Sequence, residues 1–82
     1  AETENLELRQ KADGLRYAVK GHLRRNEEQL KGDDATEVRE TVESDLKTLT
    51  DALKGDDYDA IRSAYDDLMV SQGEIGRYLY KR

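Results

Sequence analysis

The chain has 82 residues and contains no cysteine, proline, tryptophan or phenylalanine. This length accommodates one small domain, and the lack of cysteine excludes disulfides and thiolate metal sites. The apolar runs are short, so we expect neither a transmembrane helix nor a secretory signal. Leucine, isoleucine and valine account for 16 of the 82 residues, whereas 40% of the residues are charged. This composition is typical of either a disordered acidic tail or a thin, highly charged helical bundle.

The net charge of −5 is distributed unevenly along the chain. Residues 33–76 carry 13 acidic and four basic side chains, whereas residues 1–32 are close to neutral and residues 77–82 are basic. An acidic middle repels both the phosphates of nucleic acids and the anionic surface of membranes. We therefore expect no nucleic-acid partner and no membrane partner. Without cysteine nothing requires an oxidising compartment, and we expect a cytoplasmic location.

Apolar residues recur every three or four positions from Leu8 to Leu30, which is the spacing of one face of a helix. This stripe predicts a first helix over about residues 3–31, roughly 43 Å long at about 1.5 Å per residue. Such a helix exceeds its neighbours in length, so residues 3–15 should project from the bundle unless they fray. We expect the projecting part to contact a partner, or helix one of a second copy in self-association. The residues of this overhang contact face are Leu6, Leu8 and Leu15.

The pentapeptide Leu-Lys-Gly-Asp-Asp occurs twice, at residues 30–34 and 53–57. In each copy the lysine and glycine suit the end of a helix, because glycine adopts the left-handed conformation that terminates helices and lysine complements the helix dipole. The two aspartates suit the start of the next helix, where carboxylates accept hydrogen bonds from backbone N–H groups. The expected helix caps are Gly32, Asp34, Gly55 and Asp57.

Two further apolar stripes predict a second helix over about residues 34–54 and a third over about residues 57–72. Gly73 and Gly76 follow, and residues 74–81 either form a separate short fourth helix or continue the third. No useful length of sequence alternates apolar and polar residues, so strands are not expected. The sequence therefore predicts an all-α fold, an antiparallel three-helix bundle with a long, overhanging first helix, which occupies the whole chain as one domain.

Residues suited to catalysis or metal binding are scarce. The only histidine, His22, lies within the helix-one stripe, and the residue three positions earlier is Val19 rather than the glutamate of di-metal bundle sites. Asp56, Asp57 and Asp59 lie close together, but the further oxygen ligands, central glycine and terminal glutamate of a calcium-binding loop are lacking. Helix capping explains these aspartates better. We expect no enzymatic activity, no metal site and no cofactor in this chain.

Two stretches of the sequence resemble the C-terminal helical lid of DnaK-type heat-shock chaperones. The first, LRQKADGLRY from Leu8 to Tyr17, is similar to the lid-helix pattern of that family, in which an arginine precedes Ala-Asp and then a tyrosine or histidine. The second and more specific is Ala-Leu-Lys-Gly-Asp-Asp at residues 52–57, followed by an Ala-Ile pair and an amphipathic helix. The order of long helix, acidic turn, helix, acidic turn and helix also agrees over nearly all of the chain.

The resemblance implies a part in protein folding and the stress response. In the family, an N-terminal domain that hydrolyses ATP drives a β-sandwich that grips unfolded hydrophobic peptides, and the helical lid closes over them. It follows from the resemblance that ATP binds elsewhere in the parent protein, that the β-sandwich of the same chain is the direct partner, and that client peptides are partners indirectly. The resemblance also implies that Asp13 and Tyr17 form the latch that holds the lid against the sandwich.

The latch residues also have a local interpretation, in which Asp13 simply solvates the helix beside Arg16 or Tyr17. The sequence departs from the family in two respects. The segment between the acidic turns is longer by about four residues, close to one helical turn, and Gly14, Arg16 and Gly21 stand where family members often carry other residues. The alternative function is a stand-alone helical protein–protein interaction module, such as a spectrin-like repeat or an acidic adaptor.

Overall fold

Three helices form where the sequence places its apolar stripes. The computed structural model describes residues 2–81, and the side chains of residues 3–80; α1 spans Glu2–Arg25, α2 spans Asp33–Ala52 and α3 spans Tyr58–Lys81. No strand occurs within the described backbone. The predicted all-α fold, a three-helix bundle, is confirmed.

The helices run up, down and up. The starts of α1 and α3 lie side by side, because Glu7 and Lys11 line the same surface groove as Arg62 and Asp66. The two connections are short, so α2 runs antiparallel to both of its neighbours. The bundle measures 43 × 17 × 15 Å and is therefore only one helix long and barely two helices wide.

The core is one cluster of alanine, valine, leucine and isoleucine side chains, to which the apolar stripes of all three helices contribute. Ala35, in the first turn of α2, is the one member outside the predicted stripes. Each large apolar side chain that is fully buried contributes about 1.5–3 kcal/mol relative to an exposed one, so a core of this size stabilises a small domain only modestly. The buried apolar residues are Ala12, Val19, Leu30, Ala35, Val42, Leu49, Ile61, Ala64, Leu68 and Ile75.

The first helix ends at Arg25, not near residue 31 as predicted. Asn26 marks the change, because its side-chain Nδ2 and its backbone N–H both donate to the carbonyl of His22, at 2.9 and 3.1 Å. A side chain that bonds to the backbone in this way competes with continuation of the helix. The irregular turns that follow place Leu30 in the core with 1% of its surface exposed. As a result α1 has 24 residues, the same number as α3, and the expected mismatch in length is absent.

The predicted overhang of the first helix is wrong. Leu8 and Leu15 pack against the core, and Ala12 between them is fully buried. Leu6 is the one member of the predicted contact face that stays open, with 56% of its surface exposed. The reason is that α1 lies beside a parallel helix of equal length, so its apolar stripe is covered within the bundle itself.

The third helix is continuous, and the separate short helix over residues 74–81 does not form. Ile75 is fully buried and Leu79 packs against the core, so the stretch after Gly73 is held in the same helical line as the stretch before it. Gly73 and Gly76 both lie on the exposed side, where an added Cβ would meet no atom within 4 Å. Burial of apolar neighbours therefore outweighs the cost of two exposed glycines, about 1 kcal/mol each relative to alanine.

The glycines of the two acidic turns do not act as left-handed helix terminators, because neither has a positive φ. Gly32 is instead the residue that precedes α2, with extended backbone angles of φ −68° and ψ 157°. The second helix ends two residues earlier than predicted, at Ala52, and Leu53 closes it in a right-handed conformation with φ −68°. The bond from the N–H of Gly55 to the carbonyl of Ala52 continues that tight turn.

The two expected aspartate caps differ. Asp57 precedes α3, and its Oδ1 accepts a hydrogen bond from the N–H of Ala60 at 3.2 Å, the geometry of a side-chain N-cap. Asp34 is not a cap, because α2 already begins at Asp33 and its capping residue is Gly32, which has no side chain. Asp33 and Asp34 lie in the first turn instead, where their charge still complements the helix dipole.

Candidate functional site: the α1–α2 groove and the latch residues

The two expected latch residues lie one turn apart on α1 and are joined by the arginine between them. Arg16 donates from Nη2 to the Oδ1 of Asp13 at 2.7 Å, and its guanidinium carbon stands 5.3 Å from the centre of the Tyr17 ring. The Asp13 side chain is 49% exposed and Tyr17 is 64% exposed, so both remain accessible from outside the bundle. The local pairing of Asp13 with Arg16 is thus present, and Asp13 and Tyr17 both remain partly open to solvent.

Arg16 is more deeply placed than the residues that it joins, with 22% of its side chain exposed. Its Nε is shielded from solvent and has no hydrogen-bond acceptor among the described residues. A buried donor without an acceptor costs about 1–3 kcal/mol relative to a paired one. The Arg16 guanidinium is therefore held by a carboxylate on one edge and left unpaired at Nε.

A groove runs between the first half of α1 and the end of α2, and it includes Asp13 and Arg16. Its volume is about 440 Å³. We call it the α1–α2 groove; its lining residues are Leu6, Arg9, Gln10, Asp13, Arg16, Thr50, Leu53 and Lys54. Three cationic side chains, one carboxylate and two leucines give a lining that is both basic and apolar.

One wall of the groove is fixed by Arg9. Its Nη1 donates to the carbonyl of Leu53 and its Nη2 to the carbonyl of Gly55, each at 2.7 Å, while Asp56 lies 3.6 Å from Nη2. The same guanidinium stands 5.5 Å from the centre of the Tyr58 ring. We call the two bonds from Arg9 to the turn carbonyls the Arg9 clasp. They tie α1 to the connection between α2 and α3 and satisfy carbonyls that the end of α2 leaves open.

The sequence predicted Asp13 and Tyr17 as site residues but did not place Arg9, Arg16 or Lys54 in a site. A local signal existed for Arg16 only, which is three residues from Asp13. The Arg9 clasp joins Arg9 to Leu53 and Gly55, which lie 44 and 46 positions further along the chain, so no spacing in the sequence indicates it.

The predicted overhang contact face is divided by the fold. Leu6 lines the α1–α2 groove, whereas Leu8 and Leu15 are partly buried and pack against the core. The groove therefore receives only one of the three leucines, from the second turn of α1.

Groups that could hold a metal ion are absent from the described side chains, since nowhere do three or more histidine, cysteine or acidic residues converge. His22 is half-buried, and its backbone carbonyl is engaged by Asn26. Among the described residues no helix combines the length and the hydropathy that a membrane span needs.

Comparisons with protein-family models, with curated proteins and with solved structures give no match to this chain.

Proposed function

We propose that this chain is the lid of a DnaK-type chaperone, which closes over unfolded hydrophobic peptides in a neighbouring β-sandwich and slows their release. The observation that carries the proposal is the accessibility of Asp13 and Tyr17 on one side of α1. A latch needs a carboxylate that a basic residue of another domain can reach, and Asp13 meets this requirement. In this proposal ATP is bound by another domain of the parent protein, the setting is the cytoplasm, and the chain itself performs no catalysis.

A latch at Asp13 competes with Arg16 for the same carboxylate. A partly exposed ion pair contributes only about 0.2–1 kcal/mol, so a basic residue of the sandwich can share or replace Arg16 at small cost. The same range limits the effect of the latch. Asp13 is expected to slow peptide release by at most about fivefold.

The test fuses the chain to a lidless β-sandwich domain of a DnaK-type chaperone and measures the release rate of a bound fluorescent peptide. The fusion should release the peptide more slowly than the lidless domain, and Asp13→Ala should restore faster release. Asp67→Ala is the matched control, because Asp67 is an exposed carboxylate on a different helix, α3, and does not line the α1–α2 groove. A fused chain that leaves the release rate unchanged would refute the lid function.

A stand-alone helical interaction module is the second candidate, and the closed bundle favours it. The core is complete without a partner, since α1 has no uncovered apolar stripe. Besides Leu6 and Tyr17 of α1, exposed apolar side chains lie on α3, where Val70 is 69% and Tyr80 is 90% exposed. Calorimetric titration of the isolated chain with a lidless sandwich separates the two candidates, because only the lid is expected to bind it.

Self-association through α1 stays a prediction, which now rests on Leu6 and Tyr17 rather than on a projecting stripe. Sedimentation velocity over increasing protein concentration tests it. A dimer that is weakened by Leu6→Asn is the expected result, and a monomer at all concentrations would contradict it.

A further inference from the structure

We propose that the α1–α2 groove is a binding site for a peptide segment that carries a carboxylate beside an aliphatic side chain. The site does not depend on the lid function, because it needs no second domain. It is defined by the cations Arg16 and Lys54, by the apolar surfaces of Leu6 and Leu53, and by the wall that the Arg9 clasp holds in place.

The groove gathers three cations in a molecule that is acidic overall. The chain carries −5, and α2 alone, with seven acidic and two basic residues, accounts for a charge of −5. The groove is nevertheless lined by three cations, Arg9, Arg16 and Lys54, against the single carboxylate of Asp13, while Asp56 and Asp51 lie 3.6 and 3.8 Å from Arg9 and Lys54. The pair between Lys54 and Asp51 is exposed and therefore weak, so a ligand carboxylate can take the place of Asp51 at Lys54.

Arg16 lines the groove, and its Nη2 is bonded to the half-exposed Asp13 at 2.7 Å. Its Nε is shielded from solvent, so a ligand carboxylate would share Nη2 with Asp13 instead of reaching Nε. Bonds between guanidinium and carboxylate are among the stronger hydrogen bonds in proteins. Lys54, whose Nζ is 3.8 Å from Asp51 and whose side chain is 76% exposed, can turn toward the same ligand.

The apolar part of the lining identifies the ligand as a peptide rather than a phosphate. Leu6 is 56% exposed at one side of the groove, and Leu53 lines the other side while packing against the core. These surfaces match an aliphatic side chain next to the carboxylate. A phosphate dianion gains nothing from these apolar surfaces, and its two charges are repelled by Asp13 more strongly than the single charge of a carboxylate.

The groove is prepared for binding before a ligand arrives. The Arg9 clasp fixes the backbone of Leu53 and Gly55 relative to α1 through two bonds of 2.7 Å. A site whose walls are already held in place loses less conformational entropy on binding. The ligand therefore only has to order its own backbone and the Lys54 side chain.

The test is a titration of the ¹⁵N-labelled 82-residue chain, followed by NMR, with the peptide acetyl-Leu-Glu-Leu-amide. We expect backbone amide shifts confined to residues 6–16 and 50–55, with millimolar affinity. Acetyl-Leu-Gln-Leu-amide, which lacks only the charge, should bind about tenfold more weakly, because it loses the charge-assisted bond to Arg16. Inorganic phosphate at the same concentration should produce no comparable shifts in these amides.

Variants locate the contact. Arg16→Leu should weaken the peptide about tenfold, whereas Arg24→Leu, an exposed arginine of α1 outside the groove lining, should leave the affinity unchanged. Lys54→Gln serves as the second variant if Arg16→Leu lowers the helical circular dichroism. Asp13→Asn should strengthen peptide binding about twofold or more, since Arg16 loses its internal competitor; the same change would weaken a lid latch, so the two proposals fail separately.

Three results would overturn the proposal. Equal binding of the glutamate and glutamine peptides would show that the groove does not recognise the ligand carboxylate. Equal shifts with phosphate would show that the groove is a general anion site. Amide shifts that map to another face, or none up to the solubility limit of the peptide, would show that the groove is not the site.

Discussion

The two copies of Leu-Lys-Gly-Asp-Asp are identical in sequence and different in structure. In the first copy the preceding helix has already ended at Arg25, and the next helix begins at the first aspartate, after Gly32. In the second copy the preceding helix reaches Ala52, directly before the pentapeptide, and the next helix begins only after the second aspartate, Asp57. The start of the following helix is thus shifted by two residues between identical pentapeptides.

Both turns share one feature, an arginine that bonds to the carbonyl of the leucine. Arg39 of α2 donates to the Leu30 carbonyl at 2.7 Å, and Arg9 of α1 donates to the Leu53 carbonyl at 2.7 Å. The origin of the arginine differs. Arg39 comes from the adjacent helix, nine residues away, whereas Arg9 comes from a position 44 residues away. The first turn is therefore closed locally, and the second turn is closed by tertiary structure.

The environment of the leucine at the start of each pentapeptide decides how the turn is formed. Leu30 is 1% exposed and belongs to the core, whereas Leu53 is half-buried and lines a groove. Inserting Leu30 into the core requires the irregular turns after Asn26. The pentapeptide signals that one helix stops and another starts, but packing selects the residue at which each event occurs.

The largest expected difference between the turns concerns the two leucines. Leu30→Ala removes a fully buried side chain and should lower the free energy of unfolding by about 2–4 kcal/mol. Leu53→Ala should cost about half as much, because part of its side chain already faces solvent. Urea unfolding followed by circular dichroism measures both, and equal losses would contradict the assignment of Leu30 alone to the core.

The next effect separates the two arginines. Arg9→Ala removes two charge-assisted bonds to carbonyls and should cost about 1.5–3 kcal/mol, whereas Arg39→Ala removes one such bond and should cost about 0.5–1.5 kcal/mol. Arg9→Lys should recover only part of the loss, since an ammonium group lacks the planar fork that bridges two acceptors. Thermal unfolding of the three variants provides the ranking.

Hydrogen exchange adds a positional readout for the same arginines. Loss of Arg9 should speed exchange at the start of α1 and in residues 53–57, because the Arg9 clasp joins these segments. Loss of Arg39 should affect only the first turn. Faster exchange spread evenly over the bundle in both variants would show that the two arginines have equivalent roles.

A smaller effect is expected at the aspartates. Asp57→Ala removes the side-chain cap of α3 and should cost about 0.5–1 kcal/mol. Asp34→Ala should cost less, because Asp34 lies inside the first turn of α2 and caps nothing. Asp57→Asn provides the control, since asparagine keeps the capping oxygen and should retain most of the stability.

The smallest effect is expected at the glycines. Gly32→Ala and Gly55→Ala should each change stability by no more than about 0.5 kcal/mol, because neither glycine has the positive φ that penalises alanine. At Gly32 the new Cβ would approach Asp34 Oδ1 at 2.9 Å, but that oxygen ends a flexible exposed side chain and can move. A loss above 1 kcal/mol in a melting experiment at either position would indicate the left-handed turn after all.

The features that the sequence predicted are those with a local period. Val19, Val42 and Leu68 fall on three-and-four spacing within their own helices, so their burial follows from amphipathicity alone. Asp57 could likewise be identified as a cap from its immediate neighbours.

The features that were missed depend on partners distant in sequence. The end of α1 depends on how deeply Leu30 enters the core, and the continuity of α3 depends on the burial of Ile75 against other helices. One wall of the α1–α2 groove is formed by Arg9, which reaches across to a turn in the second half of the chain. Local propensity does not encode these contacts. Asp13 and Tyr17 could therefore be proposed from the sequence by resemblance, whereas the groove beside Asp13 could not be predicted.

The parallel arrangement of α1 and α3 gives the bundle a mechanical character. The first and last described residues lie at opposite ends of a body 43 Å long. Tension applied through these ends would slide α1 and α3 past each other along their axes, so that all contacts along the seam resist together and none is peeled away first. The Arg9 clasp, which joins α1 to the turn before α3, would then bear the load at the end where the pull on α1 begins.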